Sequence, residues 1–442
     1  MNKIVLSALT ALTLGTVTVN ANEIKLYQDA NGQVFTQPAE GRTLLNRAST
    51  APAKKRSITI VDHKSPDFLL GKQTHINMKF IADDNPEMWL KAGVRIQGTF
   101  ENRRTEDLTS GATDSYYDAY LRRVRFEVAA GFNKYASFTM DVRNDKANYK
   151  DKGEQKFNVG DAYVKIKKPF GSSLVNFKLY RAKIDISRTE TVKSARVIHY
   201  DRPHVADEAA QYITHNRRGT NAQMYGNWNK KVHYQVAFGD GVYSGKLKDA
   251  AGSTFSASNF EQKNFFYGGK IVLSPFDGWE EKSRTETYFA QGKHFEVGAG
   301  YWVSPNINYS VGATPVTIDH KLLNLEMSAH YKGAFVQAEY FDFDGVAKNW
   351  TSTQTGKSNG WYATAEYCFA DYGFVAPFVR YESWDKFKDA NGYDLTSKMA
   401  GVNWYLMGNT IKAGITVQED EYGVNIGNEK ERRIKVTSQW FF

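Results

Sequence analysis

The strongest constraint on the fold is a long series of segments, from about residue 86 onward, in which apolar and polar residues alternate. Around residue 95, for example, Val94 and Ile96 alternate with Arg95 and Gln97. This period of two is typical of a β-strand with one apolar and one polar face. Ionised residues on the polar faces of successive strands indicate a wide, wet interior. The Ala and Gly residues on many apolar faces disfavour the core of a small soluble barrel.

Seventeen such segments lie between turn signals, whereas single-chain bacterial barrels have an even number of strands. The weakest segment is 283–292, which we leave out. The sixteen predicted strands are 88–103, 115–131, 134–147, 157–168, 174–185, 216–229, 231–242, 263–274, 294–304, 319–332, 334–345, 359–370, 373–385, 396–406, 408–421 and 430–442.

The connections between these segments alternate in length. Tight turns are predicted at 133, 229–230, 332–333, 371–372 and 408. Longer polar connections are predicted at 104–114, 148–156, 243–262, 346–358, 386–395 and 422–429. Short turns at one end and long loops at the other are typical of outer-membrane barrels. The sequence therefore predicts an all-β chain that forms a transmembrane antiparallel β-barrel of about sixteen strands.

The N-terminus predicts that the chain is secreted. An apolar run from Ile4 to about Val19 follows Lys3, and Val19 and Ala21 are small residues at the two positions that a signal peptidase reads. We therefore expect a signal peptide at 1–21. Residues 22–85, with a hairpin signal near 30–32 and a basic linker, are expected to form a periplasmic segment. The barrel is expected at 86–442.

Composition argues against several other classes of protein. The single cysteine, Cys368, cannot form an intrachain disulfide, and the net charge of +9 is spread along the chain without indicating nucleic acid. After residue 21, no run approaches the roughly 20 apolar residues of a membrane helix. His199, His204 and His215 lack zinc-ligand spacing, and we find no hydrolase or phosphate-loop motif. We expect no enzymatic activity, no cofactor and no metal.

The last predicted strand carries aromatic residues that a soluble chain end does not need. Trp440 and Phe442 share its apolar face. Phe442 would close this strand against the first, and the barrel assembly machinery is thought to read such a terminal aromatic residue. We therefore expect this machinery, outer-membrane lipid and lipopolysaccharide as partners. A soluble β-sandwich is the alternative.

Three stretches carry a resemblance to a known family. They are Leu121–Arg125 (LRRVR), Asp161–Tyr163 (DAY), and a strand near 180–186 that keeps Arg181 and Lys183. Together they resemble the phosphate-selective porin O and P family, over about 90–245 in sequence and elsewhere in architecture. The Gly, Pro and Phe of the family's third element are not matched here, which affects the geometry expected for the following loop.

The resemblance implies a sixteen-stranded homotrimer in the outer membrane of a Gram-negative bacterium, with a third loop folded into the pore and basic residues that select anions. Carried over by position, the candidate residues are Arg95, Arg122, Arg123, Asp161 and Lys183. Arg95 and Arg123 have the parity of the polar face. Arg122 has the apolar parity, so either a bulge turns it inward or it lies at a subunit interface. Lys183 needs a parity switch or a position where the strand leaves the wall.

The candidate third loop is 184–216, a polar connection with clustered basic residues. Its candidate constriction residues are Arg188, Lys193, Arg196 and Arg202, near His199 and His204. Guanidinium and ammonium groups in a narrow pore favour anions, and the fork of Arg fits phosphate-like oxyanions. We therefore expect a passive, anion-selective channel for small hydrophilic solutes such as phosphate-like anions. An ordinary solvated loop is the alternative.

Two other functions remain open on the sequence. A general or sugar-selective porin would use Tyr163, Trp228 and Trp302 as stacking surfaces. An adhesin would use the long loops to bind a partner. Single-channel conductance distinguishes either kind of porin from the adhesin.

Overall fold

The computed structural model describes residues 27–28, 30, 33–35, 37–44, 58–60, 78–82, 85–147, 156–214, 217–242, 247–255, 261–262, 264–276 and 284–441. The predicted signal peptide, His215 and Phe442 lie outside these residues. The chain divides into two compact units, 1–57 and 58–442. In the first unit, strand Tyr27–Gln28 pairs with Val34–Phe35 and with Thr43–Leu44. The first of these pairs flanks the predicted hairpin at 30–32.

The second unit is a closed antiparallel barrel whose wall has sixteen strands, as the alternation predicted. They are β1 Asn85–Asp107, β2 Thr113–Gly131, β3 Ala136–Ala147, β4 Asn158–Lys167, β5 Asn176–Arg181, β6 Thr220–Trp228, β7 Val232–Gly239, β8 Phe266–Leu273, β9 Lys293–Val311, β10 Thr314–Tyr331, β11 Ala334–Ala347, β12 Thr355–Tyr367, β13 Val375–Asp385, β14 Asp394–Trp404, β15 Ile411–Tyr422 and β16 Glu429–Phe441. The barrel closes where β16 pairs with β1, from Glu429 opposite Asp107 to Phe441 opposite Arg95.

Shorter elements accompany the wall. The helices are α1 Arg188–Thr191, α2 His204–Ile213 and the 3-10 helix Ala370–Tyr372, and the short strands are Ile58–Ile60, Met78–Ala82, Glu261–Gln262 and Leu406–Asn409. Met78–Ala82 pairs with β1 next to the end of β16, so chain from before residue 86 also pairs with the wall. No helix among the described residues is both long enough and apolar enough to span a membrane.

The two faces differ as the alternation predicted on most wall strands, as the burial of alternate residues on β10, β11 and β13 shows. On β1, the side chains of Arg95 and Gln97 are buried, whereas Ile96 and Phe100 are exposed on the outside of the isolated chain. The polar set therefore faces the interior. The exposed apolar set provides the outer surface that a barrel presents to lipid.

One predicted loop and two predicted strands are wrong in length. The expected long loop at 104–114 is only a turn, because β1 continues to Asp107 and β2 begins at Thr113. The carboxylate of Asp107 accepts hydrogen bonds from the backbone N–H of Thr109 and Ser110, which fixes the turn. Likewise, β9 and β10 extend to Val311 and from Thr314, across a bulge between Ser304 and Ile307. Polar, solvated residues extend these ladders, although their composition suggested loops.

The segment that we left out of the strand count is not part of the wall. Its described part, 284–292, is irregular and lies between β8 and β9, and its side chains are largely buried. This segment bears directly on the site.

Candidate functional site

The connection between β5 and β6, residues 182–219, is the third of the connections at the long-loop end, and we call it the third loop. It contains α1 and α2, and most of its residues are buried. Such burial is unusual for a connection of this length, because loops normally run over the surface. The third loop therefore has partners inside the molecule.

Those partners are inner-face side chains on strands spread around the wall. The wall residues that hydrogen-bond to the third loop include Arg95 on β1, Gln337 and Glu339 on β11, Glu382 on β13, Asn403 on β14, and Lys412 and Lys435 on β15 and β16. The third loop therefore bonds to inner-face side chains on six strands of the wall.

Arg188, at the start of α1, makes the most extensive of these contacts. Its side chain has no exposed surface, and its guanidinium donates to Gln337 at 3.1 Å and to the carbonyl of Thr285 at 2.8 Å. It also forms an ion pair with Glu296. Glu339 accepts hydrogen bonds from the backbone N–H groups of Arg188 and Thr189, at 3.1 and 2.8 Å. A wall carboxylate therefore satisfies the N–H groups that a helix start leaves unpaired.

The start of α2 is held in the same way by another wall carboxylate. Glu382 accepts from the backbone N–H of His204 at 2.9 Å and of Val205 at 2.6 Å. The imidazole of His204 lies 3.3 Å from Asp420 on β15. Pro203 precedes the helix, a position where its missing N–H costs nothing. Two carboxylates of the wall thus orient the two helices of the third loop.

The His204 contact predicts a pH dependence of the loop. Burial disfavours the charged imidazole, but the hydrogen bond and charge of Asp420 outweigh this and raise the pKa of His204. A raised pKa stabilises the folded loop fully below the unfolded value of about 6.5, and this stabilisation is lost as pH rises through the folded pKa. We expect hydrogen exchange of the α2 amides, corrected for intrinsic rates, to show weaker protection at pH 9 than at pH 6.

The matched control is His204→Gln, in which the protection of α2 should no longer fall from pH 6 to pH 9. His199 acts in the opposite sense, because burial lowers its pKa to about 3 and near pH 6 it is charged only in the open loop. Equal protection of α2 in the wild type at both pH values would contradict the assignment.

The irregular segment 284–290, which enters from the short-turn end, also holds the third loop. The guanidinium of Arg284 donates to Asp185 at 3.0 Å and to Thr191 at 2.9 Å. Glu286 accepts from the backbone N–H of Ile198 at 2.7 Å. Three bases and three acids form one buried network here: Arg188, Lys270 and Arg284 with Asp185, Glu296 and Glu326. Its charges balance.

The other predicted arginines of β1 and β2 are also anchors. Arg95 is 1% exposed, donates to Ser194 at 2.7 Å and pairs with Glu127. Arg123 is buried and donates to Gln97 and to a backbone carbonyl of the third loop, at 2.8 and 2.9 Å. In this conformation, neither presents a free guanidinium to a solute.

Arg122 settles the parity question that the sequence raised. The register between β1 and β2 shifts at this position, because Gln97 faces Arg123 while Gly98 faces Leu121. Arg122 is the extra residue of a bulge and forms an ion pair with Asp201 of the third loop at 2.8 Å. Of the two alternatives, the bulge is the one observed.

The remaining predicted residues also have partners. Asp161 pairs with Arg218 at 2.7 Å. Lys183 lies beyond the end of β5, where the chain has left the wall, and pairs with Glu190 at 2.9 Å. Lys193 pairs with Glu127 at 3.2 Å and keeps about half of its side chain exposed. Two predicted constriction residues of the third loop remain. Arg202 donates to the carbonyl of Thr189 at 2.8 Å, and Arg196 is buried, with 8% of its surface exposed.

The inner face of β3 to β5 differs from the rest of the wall. Arg143, Lys165 and Lys178 are only half-buried there. Among the described residues, none of the three forms an ion pair, although Lys178 donates to the carbonyl of Lys183 at 2.9 Å. Both lysine ammonium groups lie over the ring of Tyr163, at 5.6 and 5.5 Å from its centroid. This face combines partly exposed side chains with positive charges that form no ion pair with any described side chain.

Sequence reasoning did not select Arg143, Lys165 or Lys178. Each has the inward parity of its strand, and this was the available signal. What distinguishes them is that they lack an acidic partner, which depends on contacts between distant strands.

The aromatic residues of the sugar-porin alternative are dispersed. Trp302 is fully buried, and Trp228 is exposed where β6 enters its turn. Of the three, Tyr163 lies on the open inner face, between the two lysines. Among the described residues, no three His, Cys, Asp or Glu side chains are arranged to hold a metal ion.

A closed sixteen-stranded barrel with a polar interior and an apolar exterior defines a channel-forming protein of an outer membrane. The model of the family described as phosphate-selective porin O and P matches residues 90–418, and the chain belongs to this family. The protein is therefore a porin of a Gram-negative outer membrane. Its family and fold are those of a channel rather than an enzyme.

Individual proteins agree with this assignment at the level of the fold. An anion-selective porin from Comamonas acidovorans superposes with a TM-score of 0.54 at 9% identity, over 80% of this chain and 100% of that one. The outer membrane channel DcaP of Acinetobacter baumannii gives the same TM-score and identity, over 82% and 99%. An uncharacterised protein of Aquifex aeolicus (strain VF5) is 25% identical over 378 residues, 79% of this chain and 86% of that protein.

Proposed function

We propose that this porin selects small anions, phosphate-like oxyanions among them, and that Arg143, Lys165 and Lys178 carry the selectivity. The observation behind the proposal is that these three cations lie on the open inner face without acidic partners. Elsewhere on the inner face, the predicted basic residues are paired or buried. The passage for solutes would follow β3 to β5, beside the third loop.

Electrostatics favours the open cations over the buried ones. A paired guanidinium and carboxylate largely cancel each other's field at a distance, whereas an unpaired ammonium beside a narrow aqueous path attracts anions and repels cations. Lysine also suits transport, because its ammonium is a strongly hydrated point charge that does not hold an oxyanion in a rigid fork. Binding that is too tight would block the flow of solute.

In this proposal the third loop lies inside the barrel and narrows the passage for solutes. The site residues predicted from the sequence hold the loop there and do not select the ion: Arg95, Arg122, Arg123, Asp161, Lys183, Arg188, Arg196 and Arg202. Lys193 adds positive charge at the edge of the loop, partly offset by Glu127. The description of the family and the anion-selective porin of Comamonas acidovorans support the anion preference.

The proposal also covers the oligomeric state and the membrane partners that the resemblance implied. We infer a homotrimer embedded in outer-membrane lipid and lipopolysaccharide, because the barrel has an exposed apolar exterior and belongs to a porin family. Recognition of Phe442 by the barrel assembly machinery, cleavage after Ala21 and a periplasmic role for 22–85 remain parts of this proposal.

The test is single-channel recording of the purified protein in planar bilayers under a KCl gradient. We expect open channels whose reversal potential lies toward the equilibrium potential of chloride. Added phosphate should reduce the chloride current if phosphate enters the same passage. A reversal potential at zero or toward potassium would overturn the anion proposal, and a folded protein without conductance would contradict its role as an open porin.

A further inference from the structure

A pocket lies at the long-loop end of the barrel, which in porins is the extracellular end. It is formed by α2, by the connection between β7 and β8, and by the ends of β11 and β13. One side of the pocket is apolar and is lined by Tyr212, Leu247, Phe343, Val346 and Trp384. Lys386, just beyond β13, lies at its polar side.

Bonds within the protein hold the walls of this pocket. The hydroxyl of Tyr212 donates to the carbonyl of Asp344 at 2.6 Å, and the ring of Phe343 meets that of Tyr212 edge-on at 5.1 Å. The indole N–H of Trp384 donates to Ser358 at 2.8 Å. These side chains are therefore positioned without a ligand, which lowers the entropy cost of binding one.

Four charged side chains border the pocket, and two of them form an ion pair. Glu208 pairs with Lys248 at 2.5 Å. The carboxylate of Asp249 accepts hydrogen bonds from the backbone N–H of Ser253 and Trp350. The ammonium of Lys386 lies 4.7 Å from the centroid of the Trp384 ring and forms no ion pair with any described carboxylate. A half-buried cation therefore lies beside an apolar wall with no described carboxylate in ion-pair contact.

We propose that this pocket binds a small monocarboxylate with a short apolar body. The carboxylate would pair with the ammonium of Lys386, and the apolar body would contact Trp384, Phe343 and Leu247. Cation and apolar wall together match an amphipathic anion better than inorganic phosphate, which has no apolar surface to bury. The pocket would hold such a solute at the extracellular mouth, a function separate from ion selectivity along β3 to β5.

The experiment measures binding at equilibrium, so its outcome does not depend on conduction. Isovalerate, isovaleramide and phosphate are titrated against the full-length protein in lipid nanodiscs by saturation-transfer NMR. We expect isovalerate to bind, and the neutral amide and phosphate each to bind about tenfold more weakly, since each lacks one of the two interactions.

Two variants and a matched control locate the site. Lys386→Met keeps the apolar stem but removes the charge, so the affinity for isovalerate should fall about tenfold while that for the amide stays unchanged. Trp384→Leu should weaken both ligands. Lys388→Met removes an exposed lysine of the same connection and should change neither. Heat-modified mobility in gels checks that each variant is folded. Failure of isovalerate to bind, or equal binding of isovalerate to Lys386→Met and wild type, would overturn the proposal.

Discussion

Replacing Arg188 by methionine should release α1 from the wall and raise the single-channel conductance severalfold. The side chain is fully buried and bonds to Gln337, Thr285 and Glu296, so its loss leaves the carboxylate of Glu296 buried with one fewer cation. Breaking a buried ion pair from one side costs about 3–5 kcal/mol. The third loop would then leave the interior for part of the time, and the passage would widen.

Planar-bilayer conductance and limited proteolysis of the third loop both report this release. The matched control is Arg432→Met, because Arg432 pairs with Glu419 on the surface and half of its side chain is exposed. Such a surface pair contributes only about 0–1 kcal/mol, so conductance should stay at the wild-type value. Unchanged conductance and protease resistance in Arg188→Met would contradict an anchoring role.

A second substitution separates lost charge balance from lost packing. In the double variant Arg188→Met with Glu296→Gln, the unpaired buried carboxylate is removed as well. We expect much of the wild-type conductance and loop protection to return, because an apolar and a neutral polar side chain replace an isolated charge. If the double variant behaves like the single one, the hydrogen bonds to Gln337 and Thr285 are the main anchor.

The strands could be predicted from sequence because each one carries its own alternation. This local pattern predicted seventeen segments, and the even strand number of bacterial barrels led us to leave out the weakest, 283–292. The parity of Arg122 correctly raised the possibility of a bulge. Polar hairpin ends could not be told from loops, since the composition of 104–114 is that of both. The predicted strands 88–103 and 115–131 are therefore shorter than the observed β1 and β2.

The helix caps and ion pairs of the site depend on contacts between residues that are distant in sequence. Nothing local to Glu339 or Glu382 marks them as caps for helices of the third loop, because those helices come from another part of the chain. The distinction between Arg188 and Lys165 is of the same kind. Both are basic residues expected inside a barrel, but one meets a buried carboxylate and the other does not.

Inverting the charge on the open inner face should reverse the selectivity without widening the pore. In Lys165→Glu with Lys178→Gln, one negative charge replaces two positive charges beside the passage. Gln at 178 retains an amide that can donate to the carbonyl of Lys183, which accepts from Lys178 in the wild type. We expect the reversal potential under a KCl gradient to move from the chloride side to the potassium side.

The control for inversion is Lys134→Glu, at an exposed position in the turn between β2 and β3. Its charge is screened by salt over about 10 Å at 0.1 M, so the reversal potential should change little.

Together with Arg188→Met, the charge inversion tests two separable properties of the channel, its width and its ion selectivity. If the inverted channel stays anion-selective, the selecting charge lies on the third loop, at residues such as Lys193, and the loop would both narrow the passage and choose the ion.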